Sequence, residues 1–505
     1  MPLLDRVPRR ETVAPLAVIL AAGNGSRLRS DSSAVPKPLV RLRGLSIAER
    51  SIAQLLVAGV ERFVVVLGCD AALVRHEFER VARRRRCHIS FVVAEDWKKG
   101  NGRSAAAAAP LVGESPFLLT MVDHLLPLGM IRDVLASPPT QDEITLAVDH
   151  DTENVFDLPD LTRVEVSGGC IVAIGKDLAT WNAGDTGLFY CSSALFEGLA
   201  RAHEQGKFSL TDGIRECVAQ GGVRAIDVTR AGWLDVDTPE ASQEAVHRID
   251  ATMRKGGEDG FISQYLNRPL SRRLSVALST TPLTPNHITL ISFFMGLLGA
   301  VGLATTDPSF WIAGGILIQI ASIVDGCDGE IARIKLLERP QGAWLDSVLD
   351  RYSDLAVGLA VTFAASQLLD AAWVWPAGFA ATASFLMASY VTKEFQVRFQ
   401  RPYPNNLVNK LKRRDLRILA IAVGAVLGHP FVALLVIGSL THLAVFQILV
   451  SGWHTTLALH PSHAPIALGS RGRSPERVPL PIGVGATAGQ VNGAAAVVLQ
   501  APIPD

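Results

Sequence analysis

Beyond residue 286 the chain becomes a succession of apolar stretches, near 288–304, 309–325, 352–370, 372–392, 415–428 and 430–452. About 20 apolar residues cross the hydrocarbon of a bilayer, and tilted or shared ends allow fewer. A water-soluble chain buries such helices only inside a large core, so this half reads as an all-α, six-helix transmembrane domain. The basic residues sort to one side of it. Arg254, Lys255, Arg268, Arg272 and Arg273 precede the first stretch, Arg333, Lys335 and Arg339 separate the second from the third, and Lys393 through Arg417 hold a dense set. Lys and Arg are absent from 305–308, from 428–431 and from the surroundings of Asp370. The positive-inside rule then predicts six helices with both termini in the cytosol, as in a multi-pass protein of the cell inner (cytoplasmic) membrane.

The preceding half has another grammar. Leu16 to Ala22, Phe63 to Leu67, Ile89 to Ala94, Phe117 to Val122 and Ile144 to Val148 are short runs rich in branched residues, most of them separated by helix-length segments such as Ile47 to Val60. That alternation predicts an α/β domain with a largely parallel sheet, Rossmann-like in its layering. With 505 residues the chain exceeds one core, since domains hold roughly 100–200 residues. The divisions fall at 1–13 (a tail), 14–245 (the α/β domain), 246–286 (a linker), 287–454 (the membrane domain) and 455–505 (a second tail). The linker passes Gly256, Gly257 and Gly260 and then an amphipathic stretch, Phe261 to Leu278, expected on the membrane face. Residues 455–505 are rich in Pro, Gly, Ala and Ser without periodicity and read as disordered. Lys plus Arg and Asp plus Glu each number 48, so no overall field favours nucleic acid as a partner. The six cysteines form no C-x-x-C pair, which excludes a disulfide scaffold and a zinc cluster.

Two strings in the first half carry chemistry. Leu16 to Leu20 runs into Ala21-Ala22-Gly23-Asn24-Gly25-Ser26-Arg27-Leu28, and Pro36-Lys37-Pro38 follows. Glycines after a strand bring backbone N–H groups to a triphosphate, and Arg27 and Lys37 supply charge for a pentavalent phosphorus. The spacing is neither that of a P-loop nor that of a dinucleotide fold. As a whole the string resembles the signature of the nucleoside-triphosphate transferase family, which joins a nucleotide to a phosphorylated sugar or alcohol. Asp123 ends the strand Phe117 to Val122, and Trp233-Leu234-Asp235-Val236-Asp237 resembles that family's second metal-binding segment. The resemblance implies Mg²⁺ held by one carboxylate from each, with Asp235 favoured over Asp237. Gly100-Asn101-Gly102-Arg103-Ser104 is similar to the base-binding segment of inositol-phosphate cytidylyltransferases, which implies CTP. Lys176, Asn182, Asp185 and Thr186 stand in segments resembling the acceptor site of those enzymes, although such turn residues are as often structural.

The second half holds a longer pattern. Asp325, Asp328, Gly329, Ala332, Arg333, Gly342, Asp346 and Asp350 fill D-x-x-D-G-x-x-A-R-x8-G-x3-D-x3-D. Spacings of three and four put each set on one helical face. Four carboxylates facing lipid would cost roughly 10 kcal/mol or more at about 2.5–3.5 kcal/mol each, so they face a polar cavity and need cations. The string resembles the CDP-alcohol phosphatidyltransferase family. That resemblance implies two Mg²⁺ ions on Asp325, Asp328, Asp346 and Asp350, Asp350 also acting as general base, and Gly329 and Arg333 at the nucleotide. An aspartate ring lining an ion pathway is the rival reading. Thr284-Pro285-Asn286 resembles the same family's entry segment, with Asn286 as a helix cap. Arg398, Arg401, Lys412, Arg413 and Arg414 read first as an ordinary cytosolic basic loop.

The first half thus resembles a maker of a CDP-alcohol and the second a consumer. Their order resembles the bifunctional inositol-1-phosphate cytidylyltransferase and di-myo-inositol-phosphate-phosphate synthase family over roughly residues 14–452. CTP and inositol 1-phosphate, or a similar polyol phosphate, are the substrates this implies. Transfer to a lipid hydroxyl and a non-catalytic membrane nucleotide sensor are the alternatives, and pairing of two copies through the membrane domain is left open.

Overall fold

The computed structural model describes residues 14–25, 27–28, 35–229, 231–254, 260–404, 406, 410 and 412–459. The expected tail 1–13, Ser26, the linker residues Lys255, Gly256 and Gly257, and residues 460–505 of the second tail lie outside the described residues, while 455–459, expected as the start of that tail, continue the last helix. The chain up to Ser451 forms one compact unit. Of the second unit, from Gly452, the structure describes only helical residues.

A nine-stranded sheet organises the first half. Its spatial order is His88–Val93, Arg62–Leu67, Leu16–Ala21, Phe117–Met121, Ala183–Cys191, Ile144–Asp149, Val223–Asp227, Cys170–Gly175 and Arg163–Ser167. The first four strands run parallel, and Leu16–Ala21 at their centre is buried along its whole length, as a strand covered on both faces must be. Beyond them the sheet is mixed, which corrects the largely parallel expectation. Ala183–Cys191 runs antiparallel to both neighbours, and Arg163–Ser167 and Cys170–Gly175 form an antiparallel pair. The connection Gly168-Gly169, with φ of +59° and +80°, makes that hairpin. Helix Ile47–Ala58 starts where the Ser46 hydroxyl accepts from the Glu49 N–H at 3.0 Å, and ends at Gly59, φ +103°. The last helix of this half, Pro239–Ala251, runs past the boundary expected at 245 and buries Ala241, Ala245 and Ile249 against the sheet domain.

Six helices make up the described membrane half: Pro285–Leu303, Pro308–Ile334, Pro340–Leu368, Val374–Phe399, Arg414–Val426 and Pro430–Leu459. Proline opens four of them, where its missing N–H costs nothing. Among the described residues four helices are long and apolar enough to cross a bilayer: Pro285–Leu303, Pro308–Ile334, Val374–Phe399 and Pro430–Thr455. Pro340–Leu368 falls short because Asp346, Asp350 and Asp354 occupy its first half, and Arg414–Val426 has only 13 residues. Phe294, Phe379, Leu443 and Phe446 point outward, an apolar exterior suited to lipid. Gly299 and Gly314 let the first two helices touch, since a Cβ on Gly314 would lie 2.6 Å from the Gly299 carbonyl. Thr284, not Asn286, caps the first helix by accepting from the His287 N–H, because Asn286 already lies inside the first turn.

The amphipathic segment is also seen, as Ser263–Asn267 followed by helix Arg268–Ser279. Phe261, Tyr265 and Leu270 are exposed on it, whereas Ser271 and Ser275 are buried and donate to Glu330 of the second membrane helix, and Ser279 is buried beside Gly44 of the sheet domain. The two halves are not beads on a string. Ile288, Cys327, Ile331 and Ile334 belong to the same buried cluster as Leu42, Ile47 and Ile52 of the sheet domain.

Candidate active sites

The first site lies at the C-terminal edge of the parallel strands, where open α/β sheets bind ligands. Gly23, Asn24 and Gly25 leave strand Leu16–Ala21 and border a cavity of about 330 Å³ together with Arg27, Lys37, Asn101, Ser104, Asp123 and Asp237. Gly25 is required there. Its φ is +60°, and a Cβ would sit 2.7 Å from the Cβ of Lys37. Lys37 is 6% exposed, and its Nζ lies 2.5 Å from Asp123 Oδ2 and 3.8 Å from Asp235 while bonding Asp237 as well. The two acidic segments meet because His124–Leu125 pairs antiparallel with Leu234–Asp235, setting Asp235 opposite His124.

Environment then separates the carboxylates. Burial works to raise Asp123, but the Lys37 charge and a 2.9 Å hydrogen bond with His124 hold it well below the usual carboxylate range. Burial and the Asp123 charge push Asp235 up. Asp123, His124 and Asp235 offer ligand atoms all within 4.8 Å of one another, and Asp235 Oδ1 is buried without a hydrogen bond. A buried carboxylate oxygen with no hydrogen bond, its ammonium neighbour Lys37 Nζ standing off at 3.8 Å, is costly unless a cation takes it, so this donor set fits a hard divalent ion. Asp237 is engaged differently, since it bonds both Lys37 and Arg27.

The remaining residues expected at this site divide into two groups. Arg27 lies 2.7 Å from Asp160, which also pairs with Lys176, so one chain of ion pairs joins the glycine motif to the acceptor segment. Asp185 points a carboxylate oxygen at the Gly187 N–H at 2.7 Å, and burial pushes it up to about 6. Others serve the backbone. Asn182 bonds Val166 N and O at 2.8 Å each, Thr186 donates to the Ala147 carbonyl at 2.8 Å, and Asn101 accepts from Leu210 N at 2.7 Å. Gly100 and Gly102 let their loop press on Phe208, whose carbonyl would lie 2.5 and 2.6 Å from added Cβ atoms.

The second site lies between helices Pro308–Ile334 and Pro340–Leu368. Asp325, Asp328 and Asp346 bring carboxylate oxygens within 4.8 Å of one another, as the two helical faces require. The first helix orients them: Thr289 Oγ1 donates to Asp328 at 2.7 Å and Ser292 Oγ to Asp325 at 3.1 Å. Arg414 enters from the fifth helix and bonds Asp350 at 2.8 Å, Asp325 at 3.1 Å and Asp354 at 3.3 Å. Asp346 Oδ1 is buried without a hydrogen bond, the same signature of a cation-ready oxygen as in the first site. Arg333 turns away from the carboxylates. Its Nη2 donates to the Met253 carbonyl at 3.1 Å, beside a cavity of about 590 Å³ between the halves, and Gly329 lies within van der Waals reach of its guanidinium.

Sequence reasoning had no handle on His124, Asp160, Thr289, Ser292 or Asp354 as members of these sites. Arg414 was in view but was read as one charge among several in a basic loop. Its position three residues before Arg417, which bonds Asp354 at 3.1 Å, is the helical spacing that could have separated it from the rest.

Residues 17–220 match the MobA-like NTP transferase domain and residues 282–453 the CDP-alcohol phosphatidyltransferase family. A Rubrobacter xylanophilus protein named bifunctional IPC transferase and DIPP synthase is 37% identical over 444 residues, 86% of this chain and 95% of that one. The chain belongs to the bifunctional IPC transferase and DIPP synthase family. An Aquifex aeolicus member is 32% identical over 449 residues, 86% of this chain and 98% of its own. A solved structure described as the inositol-1-phosphate CTP transferase from T. maritima is 26% identical, covering 46% of this chain and 94% of that chain with a TM-score of 0.42. Like other members of the IPC transferase and DIPP synthase family, the chain is a transferase with a nucleotidyltransferase domain and a CDP-alcohol phosphotransferase domain. Both domain types generally work with divalent ions.

Proposed function

We propose that the two sites act in sequence. In the first, a phosphate oxygen of inositol 1-phosphate attacks the α-phosphorus of CTP, the bond to the departing diphosphate breaks, and CDP-inositol forms. In the second, a hydroxyl of another inositol 1-phosphate attacks the inositol-bearing phosphorus of CDP-inositol. CMP leaves, and di-myo-inositol phosphate phosphate remains. The observation that carries this reading is that one chain holds two separate acidic clusters, each with an orphaned buried carboxylate oxygen, one beside a glycine-lined cavity and one among membrane helices.

The roles follow from placement. Gly23, Asn24 and Gly25 offer backbone to the triphosphate of CTP, with Gly100, Asn101, Gly102 and Ser104 shaping the base side, and Arg27 and Lys37 supply positive charge where it develops on phosphorus. Asp123 and Asp235 would hold one Mg²⁺; Lys176 meets the phosphate of the polyol phosphate and Asp185 its hydroxyls, alongside Asn182, with the backbone bonds of Asn182 and Thr186 holding that strand in place. In the membrane half Asp325, Asp328 and Asp346 would hold two Mg²⁺, with Asp350 beside them, and the ions would stabilise charge on the departing CMP. Asp350 takes the proton of the attacking hydroxyl, and Arg414, bonded to both Asp350 and Asp325, fixes the base relative to the metal ligands. Gly329, next to Asp328, stands on the nucleotide side of this site, whereas Arg333, turned to the Met253 carbonyl, would reach the nucleotide only by swinging back.

The protein lies in the inner membrane with its termini and both sites cytosolic, and copies pair through the membrane half, which mass measurement in detergent tests. Function is tested by incubating purified protein with labelled CTP, Mg²⁺ and candidate polyol phosphates. CDP-inositol followed by a phosphorylated diester and CMP is expected. A lipid-linked product would move the acceptor to a lipid alcohol, and nucleotide binding without any product would leave a sensor.

A further inference from the structure

A helix ends with backbone carbonyls that no later N–H can reach. The helix carrying Asp325 and Asp328 ends at Ile334, and the chain leaves it through Leu336 at φ +52°, with Leu337 N returning to the Ala332 carbonyl at 2.8 Å. Leu336 N takes the Arg333 carbonyl at 3.2 Å, and the three carbonyls after it are taken by the other half of the protein. Arg50 Nη1 donates to Ile334 O at 3.1 Å, Arg85 Nη2 to Lys335 O at 2.9 Å and Arg85 Nη1 to Leu336 O at 3.1 Å. Arg50 is 3% exposed and is fixed by a second bond to Leu42 O at 2.9 Å. Arg85 is held by the fully buried Glu49 at 3.1 Å, which also pairs with Arg80 and Arg84. Lys335 is itself buried, its Nζ donating to Thr281 O at 2.7 Å and Leu283 O at 2.8 Å at the start of the first membrane helix.

We propose that the nucleotidyltransferase half is a structural part of the transfer site, with Arg50 and Arg85 as positioning residues that cap the helix bearing Asp325 and Asp328. Two cations at a helix C-terminus oppose its negative end and satisfy its open carbonyls. Asp328 lies less than about two turns from this end, and Cys327 beside it and Ile331 and Ile334 beyond it pack into the core shared with the sheet domain. A metal site needs its ligands held to roughly 0.5 Å, and an uncapped end frays within its last turn. The chemistry of the two halves is thus separate, while the frame of the second is completed by the first.

This inference rests on the transfer reaction proposed above, and the test keeps the two apart. Full-length wild type, Arg85→Ala and Arg85→Lys are compared in three measurements: CDP-inositol formation, transfer from supplied CDP-inositol across a Mg²⁺ titration, and hydrogen exchange of residues 331–337. For Arg85→Ala, transfer kcat is expected to fall roughly tenfold with a severalfold higher Mg²⁺ midpoint. Exchange at 331–337 should speed by a similar factor, and CDP-inositol formation should stay within about twofold. Arg85→Lys, keeping the charge but not the two-carbonyl fork, should fall between. An unchanged midpoint and unchanged exchange in Arg85→Ala overturn the proposal, as do equal losses of both activities with no shift in midpoint. Should the alanine variant not fold, a wild-type midpoint and exchange rate in Arg85→Lys overturn it. Absence of transfer in the wild type itself would instead sink the functional reading.

Discussion

The soluble and membrane halves solve one problem, gathering carboxylates for a cation beside phosphate, by opposite routes. In the membrane half the ligands come from two consecutive helices, and Asp325, Asp328 and Asp346 converge because spacings of three and four repeat along each face. In the soluble half Asp123 and Asp235 come from segments far apart in the chain, joined by a two-residue ladder at the sheet edge. Their internal counter-ions differ too. Lys37 is buried among Asp123, Asp235 and Asp237, whereas Arg414 ties Asp325, Asp350 and Asp354 together from a helix outside the motif. A helical site is thus specified by a local pattern, and a sheet-edge site by topology.

The largest effect that could break this comparison is loss of a ligand on one side only. Removing a metal ligand forfeits several kcal/mol of transition-state stabilisation, about 10³-fold in rate. Asp123→Asn should therefore abolish CDP-inositol formation to that extent and leave transfer from supplied CDP-inositol within about twofold. Assaying the two steps separately on the same folded preparation checks it. Loss of both steps would mean that the two acidic clusters are not chemically independent.

A smaller effect sharpens the membrane side. If Asp350 is the base and Asp328 a ligand, Asp350→Asn should lower transfer kcat about 10²-fold with the Mg²⁺ midpoint unmoved. Asp328→Asn should raise that midpoint. Titrations of both variants decide between the roles, and an equal shift in the two would make Asp350 primarily a ligand.

That contrast also explains what the sequence disclosed. The aspartate motif, the α/β alternation and the glycine turn with Arg27 and Lys37 were legible because each is local: a helical period, a run of branched residues, a strand followed by glycines. Asp160 was not, because it meets Arg27 and Lys176 only through a short loop with no periodicity. Thr289 and Ser292 read as part of an apolar span, and only the approach of the first helix to the second shows their hydroxyls meeting Asp328 and Asp325. The antiparallel strand Ala183–Cys191 was hidden by Gly184 and Gly187, which weaken the branched-residue signal; Gly187, φ +72°, accompanies a register shift against Ile144–Asp149. The contact between the halves was invisible for the same reason, since Arg50 and Arg85 look like surface charges until the helix end they reach is known.

The smallest expected effect concerns Asp185, a soluble-site carboxylate with no Lys or Arg partner among the described residues. Burial raises it from 3.8 to about 6, with the Gly187 N–H and His124 opposing only in part. A carboxyl raised on folding binds more protons folded than unfolded between these values, so its contribution to stability falls as pH climbs from about 4 to about 6 and stays lost above. The full shift corresponds to roughly 3 kcal/mol at about 1.4 kcal/mol per unit; partial exposure of the side chain reduces this to about 1–2 kcal/mol. Asp185→Asn keeps an oxygen for the Gly187 N–H and removes the charge. The variant should flatten the fall in Tm between pH 4 and 6 and gain stability at pH 7, while KM for inositol 1-phosphate rises because a polyol contact is lost. A gain in stability with KM unchanged would reduce Asp185 to a structural strand residue; a loss of stability at pH 7 would show that the charge is balanced after all, as it is at Asp123.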